Sequence, residues 1–178
     1  QATPSKERRS SIPVFHGVLA DFDRSPASYD VIFMNNYLEH TSDPLAELQK
    51  CRHLLKPGGQ LVGEVPNFDS VDRRVFGRFW GGNHAPRHTF QFDPPALRAL
   101  LARAGFTTAR TSCELNTAHL VLSVQNLLQC NRQDLRHNPA LKHGRAAYYG
   151  PLLLLLLPIN FLFAAVGKAG VMKFYATV

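Results

Sequence analysis

Apolar positions in this chain fall into short runs divided by polar corners. Val31 to Met34 is a continuous apolar run, as expected of a strand covered on both faces. The period then changes. Asp43-Pro44 places a capping carboxylate before a proline at the first helical position. Leu45, Leu48, Cys51 and Leu55 follow at helical spacing, Lys56 falls in the last turn, and Pro57-Gly58-Gly59 stops the helix. Leu61 to Val65 reads as the next strand, closed by Pro66. Asp93-Pro94-Pro95 repeats the start signal, with Leu97, Leu100, Leu101 and Ala104 on one face and Gly105 at the end. Phe106 to Glu114 reads as a strand, residues 115–150 as helix followed by a polar, basic linker, and Val171 to Val178 as a terminal strand. At the start, residues 1–11 are polar and frayed or weakly helical, and Ile12 to Phe15 forms a short strand ending at His16-Gly17.

The stretch from Tyr29 to Asn67 is therefore a strand, a polar corner, a capped helix, a turn and a second strand. A β-α-β unit of this kind sets its loops at the carboxyl ends of parallel strands, where open α/β sheets bind ligands. Pro151 to Val166 stands apart. It is almost wholly apolar but shorter than the roughly 20 residues a spanning helix needs, and Pro158 and Asn160 interrupt it. Two readings stand side by side: a buried helix or helical hairpin packed on the domain, and a monotopic membrane contact. Arg132, Arg136, Lys142, Arg145 and Lys168 flank it, and Tyr148 and Tyr149 stand at its entry, as suits an anionic interface.

Composition narrows the class. The 178 residues carry a formal charge of +7, with 45% hydrophobic and 19% charged residues, which fits one folded domain. The basic residues form no long block and no nucleic-acid motif is visible, so nucleic acid is not expected as a partner. Cys51, Cys113 and Cys130 are few, odd in number and widely spaced, which argues against a disulfide framework and fits a reducing, cytoplasmic setting, with peripheral membrane contact if the apolar segment lies on a bilayer.

Tyr29-Asp30-Val31-Ile32, Leu38-Glu39-His40, Asp43-Pro44, Leu54-Leu55-Lys56-Pro57-Gly58-Gly59 and Pro66-Asn67, in this order, resemble the class I S-adenosylmethionine (SAM)-dependent methyltransferases. Phe76-Gly77-Arg78-Phe79-Trp80, Pro86-Arg87-His88 and Ala104-Gly105-Phe106 resemble the branch that includes ubiquinone-biosynthesis O-methyltransferases. The resemblance covers residues 12–114. It implies an α/β fold: the C-terminal part of a Rossmann-like seven-stranded sheet in the order 3-2-1-4-5-7-6, with an antiparallel seventh strand and here a helical apolar insertion before it. It also implies SAM as cofactor, lying across the ends of strands 1, 2 and 4. The glycine-rich turn after strand 1 and the acid after strand 2 are not found. Thr3-Pro4-Ser5 looks like the stretch after strand 2, and Ile12 to Gly17 like strand 3. The expectation is a single truncated methyltransferase domain: a loosely anchored start over 1–28, a β/α core over 29–114, a helical insertion over 115–170 and a terminal strand over 171–178. Strand 4 then becomes a sheet edge open to self-association.

The candidate site residues follow from that frame. Asp21 lies in the loop that meets adenine in the family. Asn35 and Asn36 close strand 4, with Asn35 toward the methionine end of SAM. Glu39 and His40 pair a carboxylate with an imidazole able to orient and activate an acceptor hydroxyl. His88 is a candidate to share proton transfer, Arg87 to pair with an anionic or carbonyl group of a small-molecule acceptor, and Trp80 to lie on the acceptor surface. In the ubiquinone branch a carboxylate three residues before this Glu belongs to a metal site. Here that position is Asn36, so no metal is assigned. A non-catalytic membrane-peripheral or partner-binding module is the alternative reading.

Overall fold

The computed structural model describes residues 13–84, 86–128 and 148–178. The basic positions 132, 136, 142 and 145, Cys130 and the segment 1–12 lie outside them. Four strands form one mixed sheet in the order β1-β2-β4-β3, where β1 is Tyr29–Asn35, β2 Leu55–Pro66, β3 Thr108–Cys113 and β4 Val171–Thr177. β1 and β2 run parallel, and β4 runs antiparallel to both β2 and β3. This is the 4-5-7-6 portion of the expected sheet, with the reversed strand where the resemblance puts it.

Helix α1 (Pro44–Leu54) crosses between the parallel strands. The Asp43 carboxylate accepts from the Leu45 and Ala46 amides at 3.1 and 3.0 Å, which satisfies orphan donors of its first turn. Helix α2 (Val71–Phe76) is capped by Ser70. Asp93 caps α3 (Pro94–Arg103), which ends near Gly105 at φ +95°. Helices α4 (Ala118–Leu128) and α5 (Tyr149–Ala165) occupy the insertion before β4. The core lies between the sheet and α1 and α3, built from Leu48, Cys51, Leu61, Val65, Leu97, Leu101, Met172 and Phe174.

Several expectations change. Pro13 to Phe15 is not a strand, and Val14 and Phe15 stand exposed, because among the described residues no strand pairs with them. Lys56 is not in the helix: α1 stops at Leu54, and Lys56 pairs with Asp30 at 2.8 Å. Pro57-Gly58-Gly59 is a bulge inside β2 rather than a separate turn. The register jumps from Tyr29↔Leu55 to Val31↔Gln60 across it, and Gly58 takes φ +76°. Among the described residues β1 pairs with a strand on one side only, and it is not covered on both faces: Val31 and Phe33 are exposed. The apolar segment forms one helix that packs on α4 while leaving Leu154, Leu155, Phe161 and Leu162 exposed, so it is not a buried helix. Among the described residues, no helix is long and apolar enough to cross a membrane.

Candidate active site

The turn after β1 divides two clefts. Asn35 ends the strand, and Asn36 takes φ +47°, a left-handed conformation that Asn tolerates better than most residues. The Asn36 amide N–H donates to the Glu64 carbonyl at 2.8 Å, and its side-chain Nδ2 donates to Glu64 Oε1 at 3.3 Å. This reversal sends the two asparagines to different sides. Asn35 borders a cleft of about 460 Å³ along the free edge of β1, walled by Phe15, Leu19, Phe22, Phe33 and Tyr37. Asn36 borders a cleft of about 490 Å³, lined also by Glu39, His40, Glu64, His84, His88 and His119. Asp21 closes a short 3-10 turn, Leu19–Asp21, whose Leu19 lines the first cleft while Asp21 itself is exposed.

The second cleft holds the more reactive set. A single 3-10 turn, Leu38–His40, carries Glu39 inward and His40 outward. Glu39 is buried and neither of its carboxylate oxygens has a hydrogen-bond partner. Burial pushes its pKa above the usual carboxylate range, and the nearby Glu64 adds to the rise, against the lowering effect of its own backbone amide and of His40. Its main chain is held firmly, since the Glu39 carbonyl accepts from the Thr89 and Phe90 amides at 2.9 and 3.2 Å. That strap draws the loop after Trp80 over the turn.

The loop delivers His88. His40 and His88 meet edge to face, ring centroids 4.6 Å apart, and His84 meets His88 at 5.2 Å. His40 Nδ1 lies 3.0 Å from the Arg87 carbonyl, and His88 Nδ1 lies 2.8 Å from the Gly82 carbonyl. A carbonyl only accepts, so each Nδ1 carries a proton, and in the neutral form each ring keeps its lone pair on Nε2. Burial lowers the pKa of His88, partly opposed by its bond to Gly82. Burial also lowers that of His84, with Arg87 and His40 adding to the effect. His84 sits at φ +24°. It and Asn36 are two of the three non-glycine positive-φ residues among those described, and both line this cleft, a pattern typical of functional sites. Ligand atoms of Glu39, His40 and His88 lie within 4.8 Å of one another, close enough to hold one divalent cation. His88 thus brings a third donor to the pair that Asn36 leaves short of one.

The structure separates the remaining candidates. Arg87 contributes its carbonyl to His40, while its side chain is exposed. Trp80 lines neither cleft. It is buried, its Nε1–H donates to Asp72 Oδ2 at 3.0 Å, and its ring meets Phe68 edge to face. Sequence reasoning missed His119 and Asn126, which reach the cleft from α4, and Asn116, which reaches it from the segment just before that helix. Burial lowers the pKa of His119, and its Nδ1 has no hydrogen-bond partner. Nothing in the spacing of residues 115–128 singles these out, because only the packing of α4 on the loop decides which face meets the cleft. Glu64 did carry a signal: it is a carboxylate near the end of an otherwise apolar strand.

The backbone frame is that of known methyltransferases. A SAM-dependent methyltransferase from Thermotoga maritima, described as a possible histamine N-methyltransferase, superposes with a TM-score of 0.56 at 14% identity, covering 93% of this chain and 64% of its own. A Haloferax volcanii methyltransferase solved with its Trm112 activator gives 0.52 at 16% identity, with 90% and 59% covered. At this identity the likeness speaks for the fold alone. Residues 3–111, more than half the chain, match the family model described as a methyltransferase domain, and the chain belongs to that family. Ubiquinone biosynthesis O-methyltransferases from Cereibacter sphaeroides and Xylella fastidiosa are 34% and 36% identical over 83 and 86 residues, 43% and 45% of this chain. A tRNA U34 carboxymethyltransferase from Methylococcus capsulatus is 32% identical over 94 residues, 52% of this chain. The chain spans about a third of the length of these curated relatives, which are covered to 34%, 35% and 28%.

Proposed function

We propose that the protein transfers a methyl group from SAM to a small-molecule acceptor, with the cofactor on the Asn35 side of the β1 turn and the acceptor on the Glu39 side. The observation that carries this reading is the pair of clefts at the carboxyl ends of parallel β1 and β2, one apolar and aromatic, the other lined by carboxylates and imidazoles. The first fits the cofactor: apolar walls suit the uncharged parts of the molecule, and Asn35 supplies a polar group at the strand end. SAM brings an already activated methyl group, so the protein's part is alignment and removal of a proton.

His40 or His88, in its neutral form, accepts that proton at Nε2, since each is held by its Nδ1–H on a backbone carbonyl. Glu39, buried and unpartnered, accepts a hydrogen bond from the acceptor, or joins the two imidazoles around a divalent cation that orients it. Asp21 is proposed at the adenine end, and Arg87 at the outer rim, where its exposed side chain is free to meet an anionic acceptor. The exposed surface of α5 supports contact with a membrane, and the free edge of β1 supports self-association. The alternative of a non-catalytic module gains nothing from the family match.

The test is calorimetric titration of SAM and S-adenosylhomocysteine into the folded chain and its Asn35→Ala and Glu39→Gln variants. Saturable binding weakened by Asn35→Ala and left intact by Glu39→Gln is the expected result. Loss in the Glu39 variant alone, or equal loss in both, overturns the division of the two clefts.

A further inference from the structure

The helix α5 is apolar around its circumference in a way that neither the core nor the proposed methyl transfer accounts for. Leu154 and Leu155 are 74% and 71% exposed, and Phe161 and Leu162 are 60% and 64% exposed. Val166 just beyond the helix, and Leu127 and Leu128 at the end of α4, are exposed as well. The exposed positions occupy about half of the helical circumference at 100° per residue, far more than the narrow seam a partner helix would cover. Between Pro151 and Val166 the sequence contains one polar side chain, Asn160, and it is buried. In the amide orientation that satisfies both its ends, its carbonyl accepts from the Asn116 and Thr117 amides at 3.1 and 3.2 Å. The only polar group of the segment is thus spent pinning α5 to the start of α4, and its outer surface offers no hydrogen bonds.

We infer that this surface seats in the interface of an anionic lipid bilayer, with α5 lying in the plane of the membrane. This names the partner in the membrane contact proposed above, and it does not depend on methyl transfer. A protein interface pairs polar groups within and around its apolar centre, and from Pro151 to Val166 the exposed face of α5 carries no polar side chain. Lipid accepts a broad apolar surface without such pairing. At 17 residues the helix is about 25 Å long, short of the roughly 30 Å hydrocarbon core, and Pro158 lies inside it, so it lies on the membrane rather than across it. The charge agrees. The chain is +7 overall, Tyr148 and Tyr149 stand at one end of the helix and Lys168 beyond the other. Arg73 and Arg78 come from α2 and the turn after it, elements that pack against α4, while Arg74 and Lys168 share the Asp69 carboxylate and together keep one net positive charge. Helix α4 is the shared wall: Ala118, His119, Leu122 and Asn126 line the imidazole cleft, while α4 also packs against α5. A bilayer seated on the outer face of α5 is therefore separated from the cleft by α5 and α4, about two helix diameters, roughly 20 Å.

The experiment is co-sedimentation of the chain with vesicles of phosphatidylcholine and phosphatidylglycerol at 7:3, compared with phosphatidylcholine alone. The wild-type chain and a Leu154→Ser/Leu155→Ser/Leu162→Ser variant are compared, with circular dichroism confirming the fold of both. The inference expects the wild type to pellet with the anionic vesicles, and to do so less with neutral vesicles or in 0.5 M salt. The triple variant is expected to bind at least about tenfold more weakly, because three exposed apolar side chains are lost. A second reporter does not rely on the variant. Trp80 is the sole tryptophan and is buried, so Leu155→Trp adds one probe on α5. Its emission should shift to the blue on vesicle binding and be quenched by brominated lipid, while Trp80 in the wild type is not. A chain left in the supernatant overturns the inference, as does equal binding by the triple variant. A dimer that the triple variant dissolves, with no vesicle binding, assigns the surface to a second copy instead.

Discussion

Replacing Trp80 by Phe separates a structural tryptophan from an acceptor-binding one. The indole Nε1–H is the donor recorded to the Asp72 carboxylate, which is itself buried, and the other carboxylate oxygen, Oδ1, has no hydrogen-bond partner. Trp80→Phe keeps an aromatic ring against Phe68 but removes that donor. A hydrogen bond to a charged group contributes about 1.5–3 kcal/mol, and the smaller ring leaves a void that costs about 1 kcal/mol more. The expected loss is therefore about 2.5–4 kcal/mol. The assay is urea unfolding followed by far-UV circular dichroism, since the variant loses the chain's single tryptophan fluorophore. In an Asp72→Asn background the same change should cost about 1–2 kcal/mol less, because the orphaned group is then a neutral amide. A loss below about 1 kcal/mol, or the same loss in both backgrounds, would refute the view that Trp80 serves Asp72.

Glu39→Gln should stabilise the chain near neutral pH by about 1–2 kcal/mol, measured by thermal or urea unfolding, because it removes a buried, unpaired carboxylate. The folded-state pKa of Glu39 is raised, so its contribution is fully present below the unfolded pKa and is lost as pH rises through the folded pKa; the gain from Gln should accordingly shrink on acidification. His84, His88 and His119 have lowered folded-state pKa values, so the stability they carry is present above the ordinary histidine pKa and is lost as pH falls through the folded values. Unfolding midpoints should drop as pH is lowered below about 6.5, and NMR titration of the three rings should place each below a reference histidine. Gly63→Ala should destabilise by about 3 kcal/mol or more in urea unfolding: its Cβ would stand 2.2 Å from Phe174 Cζ and 2.5 Å from the Met34 carbonyl, and the second neighbour is backbone that cannot swing aside.

Where local chemistry decided an element, the sequence was readable. Asp43-Pro44 and Asp93-Pro94 mark the two helix starts because a carboxylate and a proline act within one turn, and α1 and α3 begin there. The parallel pairing of β1 and β2 followed from the short helix that joins them. Expectations failed where a distant partner decides. Pro57-Gly58-Gly59 has the composition of a turn, yet pairing with β1 resumes beyond it and makes it a bulge. The same limit applies to the site. Asn35, Asn36, Glu39 and His40 are neighbours in sequence and stand out at a strand end. That Asn35 and Asn36 serve opposite clefts depends on a left-handed backbone at one residue. That His88 meets His40 depends on the Thr89 and Phe90 amides reaching the Glu39 carbonyl, and neither fact is written in spacing.

The place of β4 in the sheet has a consequence for how the molecule is assembled. Its seven residues lie between β2 and β3, with Glu64 opposite Lys173 on one side and Thr111 opposite Phe174 on the other. During synthesis β1, α1 and β2 can associate early, through contacts between near neighbours in the chain. β3 emerges soon after and has no strand to join until Val171–Thr177 arrive. Of the four strands described, the latest in the chain is thus an inner one, and β3 waits on a closing step between segments far apart in sequence, the kind of step that slows folding and leaves edges open to wrong partners. Until it occurs, both hydrogen-bonding edges that β4 will fill, on β2 and on β3, are open at the same time.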